Sequence, residues 1–395
     1  MAKWDSKLKL LLLIHLLLSD LAFGKAPLPQ SNPNPSIATK PSQSVQVKSQ
    51  EVEDALSAAH ELISNLSTSL QGHLDLQTNA SCAELANGGW RGSAFSQELL
   101  GLTMVPVLVS AGCLFEAQDL VMQLYADLGQ NDTHDFLDDI VMLIKRGEKR
   151  ESSHANGFQP PIIRKSQHHL QAVLFNINQL ASVDERAAVY NGKVWQCKRW
   201  LMVKASNLQG QATEQIKPLG LEEAKLACRR MGIQCAGVSR DLDSYRIILR
   251  PGSRIVPSSN SDSWIQDCKF GSVRWRRNGV PQHHCVNEKE KRVYTVVEWI
   301  PAVSTLYNLG TAVYYASVNC YGTAKERAIF TTVDLGTDAL MAVTGGTAGV
   351  AGYALGAGLK TGVKAGIKYL LNNMKEEEDL LMNQNSWEDG SLTVQ

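Results

Sequence analysis

Eight cysteines set much of the chemistry open to this chain: Cys82, Cys113, Cys197, Cys228, Cys235, Cys268, Cys285 and Cys320. Their number is even, as a closed disulfide set requires. No two stand as C-x-x-C, the spacing of zinc sites and thioredoxin-type redox centres. Disulfides in an oxidising compartment are the simpler reading. His283-His284 beside Cys285 could suggest a metal, but a cysteine spent in a disulfide is no ligand; His168-His169 reads as a polar face. No G-x-S-x-G elbow, H-E-x-x-H helix or phosphate-binding P-loop is present. The sequence thus offers no catalytic residue, metal site or cofactor, and we expect a protein that is not an enzyme.

Other spacings speak of export and processing. Lys3, Lys7 and Lys9 precede the apolar run Leu10 to Leu18, and Ala22 and Gly24 are small residues ahead of a cut before Lys25. Residues 1–24 are therefore expected to be a signal peptide and the protein to be secreted and extracellular; an uncleaved anchor is the alternative. The run is short of the roughly 20 apolar residues a bilayer span needs. Asn-x-Ser/Thr sequons at Asn65, Asn79 and Asn131 are candidate glycosylation sites. Arg274-Trp275-Arg276-Arg277 matches R-x-[KR]-R, the pattern cut by furin-type proteases, whose acidic cleft needs basic side chains in an extended, accessible segment. Asn278 to Pro281 is turn-like. We expect cleavage after Arg277, with Lys149-Arg150 as a weaker second site and a basic surface patch as the other reading.

These features must sit on definable elements. Residues 25–50, rich in Pro, Ser, Asn and Gln, are expected to be disordered. A helical N-terminal region is expected over 51–185. There Ala55, Ala59, Ile63, Leu66 and Leu70 recur at helical spacing. Leu99 to Cys113 is more apolar, and Pro106 should kink or divide it. Helices are also expected over about 116–128, 135–144 and 168–181, with 146–166 a linker. From about Val189 strand-like segments appear, at Lys193–Trp200, Ala236–Ser239 and Tyr245–Leu249, around one helix at Leu221–Met231. A stretch of about 80 residues with two possible bridges suits a small disulfide-supported domain. Net charge is zero, with 39 basic and 39 acidic residues, which gives no case for nucleic-acid binding.

In the C-terminal region Cys285 and Cys320 bracket Val293, Val296, Val297, Trp299, Ile300 and Leu306. Pro301 divides this into two short helices that a Cys285–Cys320 bridge could close. Leu340–Leu359 is uncharged and Gly-rich, with G-x-x-x-G pairs such as Gly345/Gly349 and Gly352/Gly356. Its low mean hydropathy argues for a tightly packed helix over a membrane span. Beyond it Lys360, Lys364 and Lys368 follow at four-residue steps beside Leu359, Val363, Ile367 and Leu371. A basic stripe beside an apolar one is the pattern of a helix lying on lipid, and these seven are the candidate lipid-binding residues. A surface helix with its lysines outward is the alternative. Residues 375–395 are expected to be a disordered tail.

Two resemblances add to this reading. The segment 188–270 resembles a PAN/apple module in Glu222-Glu223-Ala224-Lys225 before Cys228, Cys235-Ala236-Gly237-Val238, the Tyr245 strand, and Trp264 before Cys268. The resemblance implies Cys228–Cys235 and Cys197–Cys268 bridges, and a protein- or carbohydrate-binding role. Cys82 and Cys113 are then expected to pair. The segment 285–372 resembles apolipoprotein F in Val286-Asn287-Glu288-Lys289-Glu290, Tyr307 to Ala312, Tyr314-Tyr315-Ala316, Asn319-Cys320 and Asp334-Leu335-Gly336. A weaker likeness covers 95–145, notably Ala111-Gly112-Cys113, Leu124-Tyr125 and Asn131-Asp132-Thr133.

The expected architecture is mainly α: helical regions at 51–185 and 285–374, a small α+β domain at 188–270 between them, and a linker with the processing site at 271–284. The apolipoprotein F resemblance implies a plasma protein on lipoprotein particles (phospholipid and cholesterol). It also implies inhibition of lipid and cholesteryl ester transfer, with a plasma lipid transfer protein as a possible partner. The other function open to the sequence is a secreted adhesion or recognition protein acting through the PAN-like domain.

Overall fold

A computed structural model describes residues 43–74, 76, 80–86, 93–153, 169–182, 195–214, 218–270, 285, 288–300, 302–345 and 362–375. The signal segment, most of 25–50 and the processing segment 271–284 lie outside the described residues, as do Asn79, Pro301, Leu359, Lys360, the second half of the Gly-rich stretch and the tail beyond 375. The chain divides into two units, Met1–Gln50 and Glu51–Gln395. Of the first only the start of α1 (Gln43–Leu70) is described, so helix begins inside the stretch expected to be disordered.

The second unit is mainly α with a small antiparallel α+β part. Its N-terminal helices are the rest of α1, then α2 (Cys82–Ala86), α3 (Ala94–Ser110), α4 (Leu114–Leu128), α5 (Gln130–Ser153) and α6 (Leu170–Ala181). α1 buries the stripe its spacing marks out, Ala59, Leu62, Ile63, Leu66 and Leu70. α3 is apolar on all sides and buried on nearly all sides, which puts it at the centre of the fold. It runs unbroken past Pro106, where sequence reasoning places a kink or a break. Ser93 caps it, its Oγ accepting from the Ser96 amide. α5 starts five residues earlier than its pattern suggests and extends through Ser153, taking in the start of the expected linker.

The α+β part holds β1 (Trp195–Val203), β2 (Ser206–Gln209), α7 (Leu221–Met231), β3 (Cys235–Asp241), β4 (Ser244–Leu249), β5 (Arg254–Pro257) and β6 (Ser263–Phe270). Four strands pair antiparallel in the order β1-β6-β3-β4, and β2 pairs with β5. α7 covers the sheet through Ala224 and Cys228 against Cys235, Val238 and Ile247. Gly237 lies where β3 crosses close to β6; a Cβ there would come 2.1 Å from the Trp264 carbonyl oxygen.

The C-terminal helices are α8 (Glu288–Val297), α9 (Val303–Ser317), α10 (Tyr321–Leu335), α11 (Thr337–Gly345) and α12, helical over 362–375. α9 is buried along nearly its whole length, like α3, and the two pack together. A Cβ on Gly310 of α9 would come 2.8 Å from the Leu100 side chain of α3. The core therefore runs from Ala59 to Met374 without a break between the N- and C-terminal helices.

Four bridges close within this unit: Cys82–Cys113, Cys197–Cys268, Cys228–Cys235 and Cys285–Cys320. Two of them belong to one structural unit that occurs twice. Cys113 opens the 15-residue α4 with φ −86°, ψ 57°, and Cys320 opens the 15-residue α10 with φ −88°, ψ 59°. The Cys113 amide donates to Leu108 O and the Cys320 amide to Tyr315 O, each at 2.8 Å. Gly129 and Gly336 end the two helices at φ 88° and 79°, a backbone that side-chain-bearing residues rarely adopt. Each follows an Asp-Leu pair in the sequence. The next helix, α5 or α11, starts one residue after that glycine.

Candidate functional site

The C-terminal helices carry the expected lipid-facing residues, and the structure sorts them unevenly. α8, α9 and α10 meet around a buried ion pair. Arg327 Nη2 stands 2.9 Å from Glu290 Oε1, with the side chains 9% and 4% exposed. The Tyr315 hydroxyl donates to Glu290 Oε2 at 2.9 Å, and the Tyr307 hydroxyl reaches Oε1 at 3.4 Å. Tyr294 lies flat against the guanidinium, 3.4 Å from ring centroid to Cζ. Burial, reinforced by the Glu290 charge, holds the Tyr307 and Tyr315 hydroxyls above the ordinary tyrosine range; Arg327 opposes this. Both rings thus stay protonated donors, and the acid is answered on both oxygens. Among the described residues this cluster is closed packing around a charge, which suits holding three helices in register.

α10 has its faces reversed. It buries Ala324, Arg327, Ala328, Thr331 and Thr332. It exposes Ile329 (38%), Phe330 (41%) and Val333 (67%), which share a face at three- and four-residue spacing. A helix ordinarily buries its apolar stripe. Here the apolar stripe faces outward because the inward side serves the ion pair and close helix contacts. Trp299, in the turn after α8, is 78% exposed.

The α12 residues behave otherwise. Val363, Ile367 and Leu371 are wholly buried, along with Leu370 and Met374 close by. Lys364 Nζ is paired with Asp132 of α5 at 2.7 Å, and Lys375 with Asp139 at 2.5 Å. Lys368 is exposed. The amphipathic pattern is real, but in this fold its apolar face meets protein, not solvent. Periodicity tells that a stripe exists and not what covers it. The reversed face of α10 was missed in the sequence for the same reason: Ile329, Phe330 and Val333 look like core positions until the opposite side is seen to be filled.

The remaining sequence-marked residues fall in separate places. Asn65 on α1 and Asn131 in the first turn of α5 are both exposed. Arg274, Arg276 and Arg277 lie outside the described residues, as does Asn79. The Cys82 and Cys113 sulfurs lie near the Glu116 carboxylate, but both are committed to a disulfide and leave no metal donor set there.

Residues 265–374 match the family model described as Apolipoprotein F. The C-terminal region is apolipoprotein F-like. The human protein of that name is 42% identical over 105 residues, 27% of this chain and 32% of the relative. The rat protein is 47% identical over 100 residues, covering 25% and 32%. The mouse protein is 42% identical over 114 residues, covering 29% and 36%. The chain thus spans about a third of the length of these relatives. No solved structure matches it. The apolipoprotein F-like match starts within β6 and takes in α8 to α12, so it holds both the buried ion pair and the reversed face of α10.

Proposed function

We propose that this chain is exported, associates with lipoprotein surfaces without acting as an enzyme, and limits lipid transfer between particles, including cholesteryl ester transfer by a plasma transfer protein. The observation that carries the reading is the outward apolar stripe of α10, placed within the apolipoprotein F-like region. A stripe of Ile329, Phe330 and Val333 beside Lys325 and Glu326 is suited to the boundary between headgroups and acyl chains. Trp299 adds an aromatic anchor of the kind found at such boundaries. Adsorbed there, the protein would occupy surface that a transfer protein needs.

α12 is the second lipid element. Its apolar face, with Lys364 and Lys368 beside it, becomes available to lipid when the helix leaves α5. Two partly exposed ion pairs and side-chain packing hold it in place, and phospholipid phosphates can replace Asp132 and Asp139 as partners for the lysines. Glycans on Asn65 and Asn131, and cutting by a furin-type protease after Arg277, belong to the same exported life.

Density flotation of the secreted protein with lipoproteins tests the reading. Phe330→Asp with Val333→Asp changes only exposed positions, and is expected to move the protein from the floating to the lipid-free fraction. Unchanged flotation of that variant would remove α10 as the contact. Val363→Asp with Ile367→Asp is a poorer test, because both residues are core and the change unseats α12 whether or not lipid is present.

A further inference from the structure

The expected cut after Arg277 separates three bridges on its N-terminal side from one on its C-terminal side, and no disulfide spans it. Covalent connectivity alone would let the C-terminal part leave. The packing opposes that at four places. α9 lies on α3 so closely that Gly310 has no room for a Cβ beside Leu100. Arg292 of α8 pairs with Glu84 of α2 at 2.6 Å. Asn176 of α6, wholly buried, donates to Thr344 Oγ1 at 3.2 Å and Met341 O at 3.3 Å on α11. α12 is tied to α5 by the two lysine–aspartate pairs.

The repeated unit explains the fit. Each copy, a cysteine-bridged helix pair with a glycine-ended second helix, has one helix buried along nearly its whole length: α3 in the first, α9 in the second. Such a helix has no solvent face to turn outward, and each supplies the other's cover. A C-terminal fragment released alone would uncover the Gly310 face of α9, which now lies against Leu100 of α3.

We infer that cleavage in 271–284 does not free the apolipoprotein F-like region: the two chains remain clasped as a noncovalent pair, each copy of the repeat serving as the other's partner. The N-terminal half is then a standing subunit of the mature protein and not a discarded propeptide.

A site-specific protease sequence placed at 274–277 in the full secreted chain tests this independently of furin recognition and of lipid binding. After complete digestion, both fragments should co-elute in native buffer at the size of the uncut protein and separate on a denaturing gel without reductant. A C-terminal fragment eluting alone in native buffer would overturn the inference. Asn176→Ala removes bonds across the junction without adding bulk; it should speed fragment dissociation about tenfold, equivalent to about 1.4 kcal/mol. Gly310→Leu, which wedges α3 from α9, should release the fragment on cutting. If the cut Gly310→Leu protein stays paired as tightly as the parent, the α3–α9 crossing is not the clasp.

Discussion

Glu290 carries more of the C-terminal packing than any motif suggests. Glu290→Gln leaves Arg327 charged, buried and without its counter-charge. Removing one partner of a buried pair costs about 3–5 kcal/mol, and denaturant unfolding should show a loss of that size. Replacing both, as Glu290→Leu with Arg327→Met, should recover much of it, since the pair's attraction largely offsets its desolvation. The tyrosines set an alkaline limit. Their folded pKa values lie above the ordinary 10.0, so the protonated hydroxyls contribute stability that is whole below pH 10 and lost as pH rises through the folded values. Tyr315→Phe removes one such group, so its unfolding midpoint should fall less steeply above pH 10 than the parent's. Parallel curves would show that Tyr315 is not part of the alkaline limit.

At the scale of elements, two helices with similar amphipathic sequences have opposite fates. α10 shows its apolar stripe because its inner side must carry Arg327 and small residues; α12 buries its own in the helical core while its lysines pair with α5. The α12 ion pairs are partly exposed and worth only about 0–1 kcal/mol each. Asp132→Asn with Asp139→Asn should therefore leave the fold intact while raising amide exchange over 362–375 several-fold. Exchange unchanged there would mean that apolar packing alone holds the helix. In the α+β part the tightest point is Gly237. Gly237→Ala drives a methyl into the Trp264 carbonyl, so β3 must part from β6, and the loss should appear as a lowered thermal midpoint for the whole unit.

Across the whole molecule the α+β part is built into the helical core. Asn176 accepts from the Ile255 amide and donates to the Ile255 carbonyl, both at 2.8 Å, as a neighbouring strand would. His169 binds Asp338 of α11 through one ring nitrogen and the Lys204 carbonyl through the other. Gly345 leaves room for the Ile255 carbonyl, which a Cβ would meet at 2.3 Å. An insertion hung on flexible links would need none of these contacts. Asn176→Ala leaves a buried amide and carbonyl of β5 unpaired, at about 1–3 kcal/mol each. It should lower the stability of helical and strand parts together; a loss confined to the strands would mean the two parts unfold independently.

The sequence by itself determined the local structure and the kinds of chemistry. α7 is read to the residue because its stripe, glycine flanks and charges agree. The even cysteine count and absent C-x-x-C spacing point to disulfides, and strings such as Tyr307–Ala312 mark the apolipoprotein F-like region. Helix ends were less legible: α5 starts before its apolar pattern and runs on well past it. What only the tertiary structure decided is which face of each helix meets what. Val363 and Phe330 are both apolar residues on helices that carry charged side chains, yet one is core and the other surface. That choice is made by the partner surface, which lies far away in the chain: the shared helical core for α12, the Glu290 carboxylate of α8 for α10, and for α9 its counterpart α3 in the other copy of the repeat.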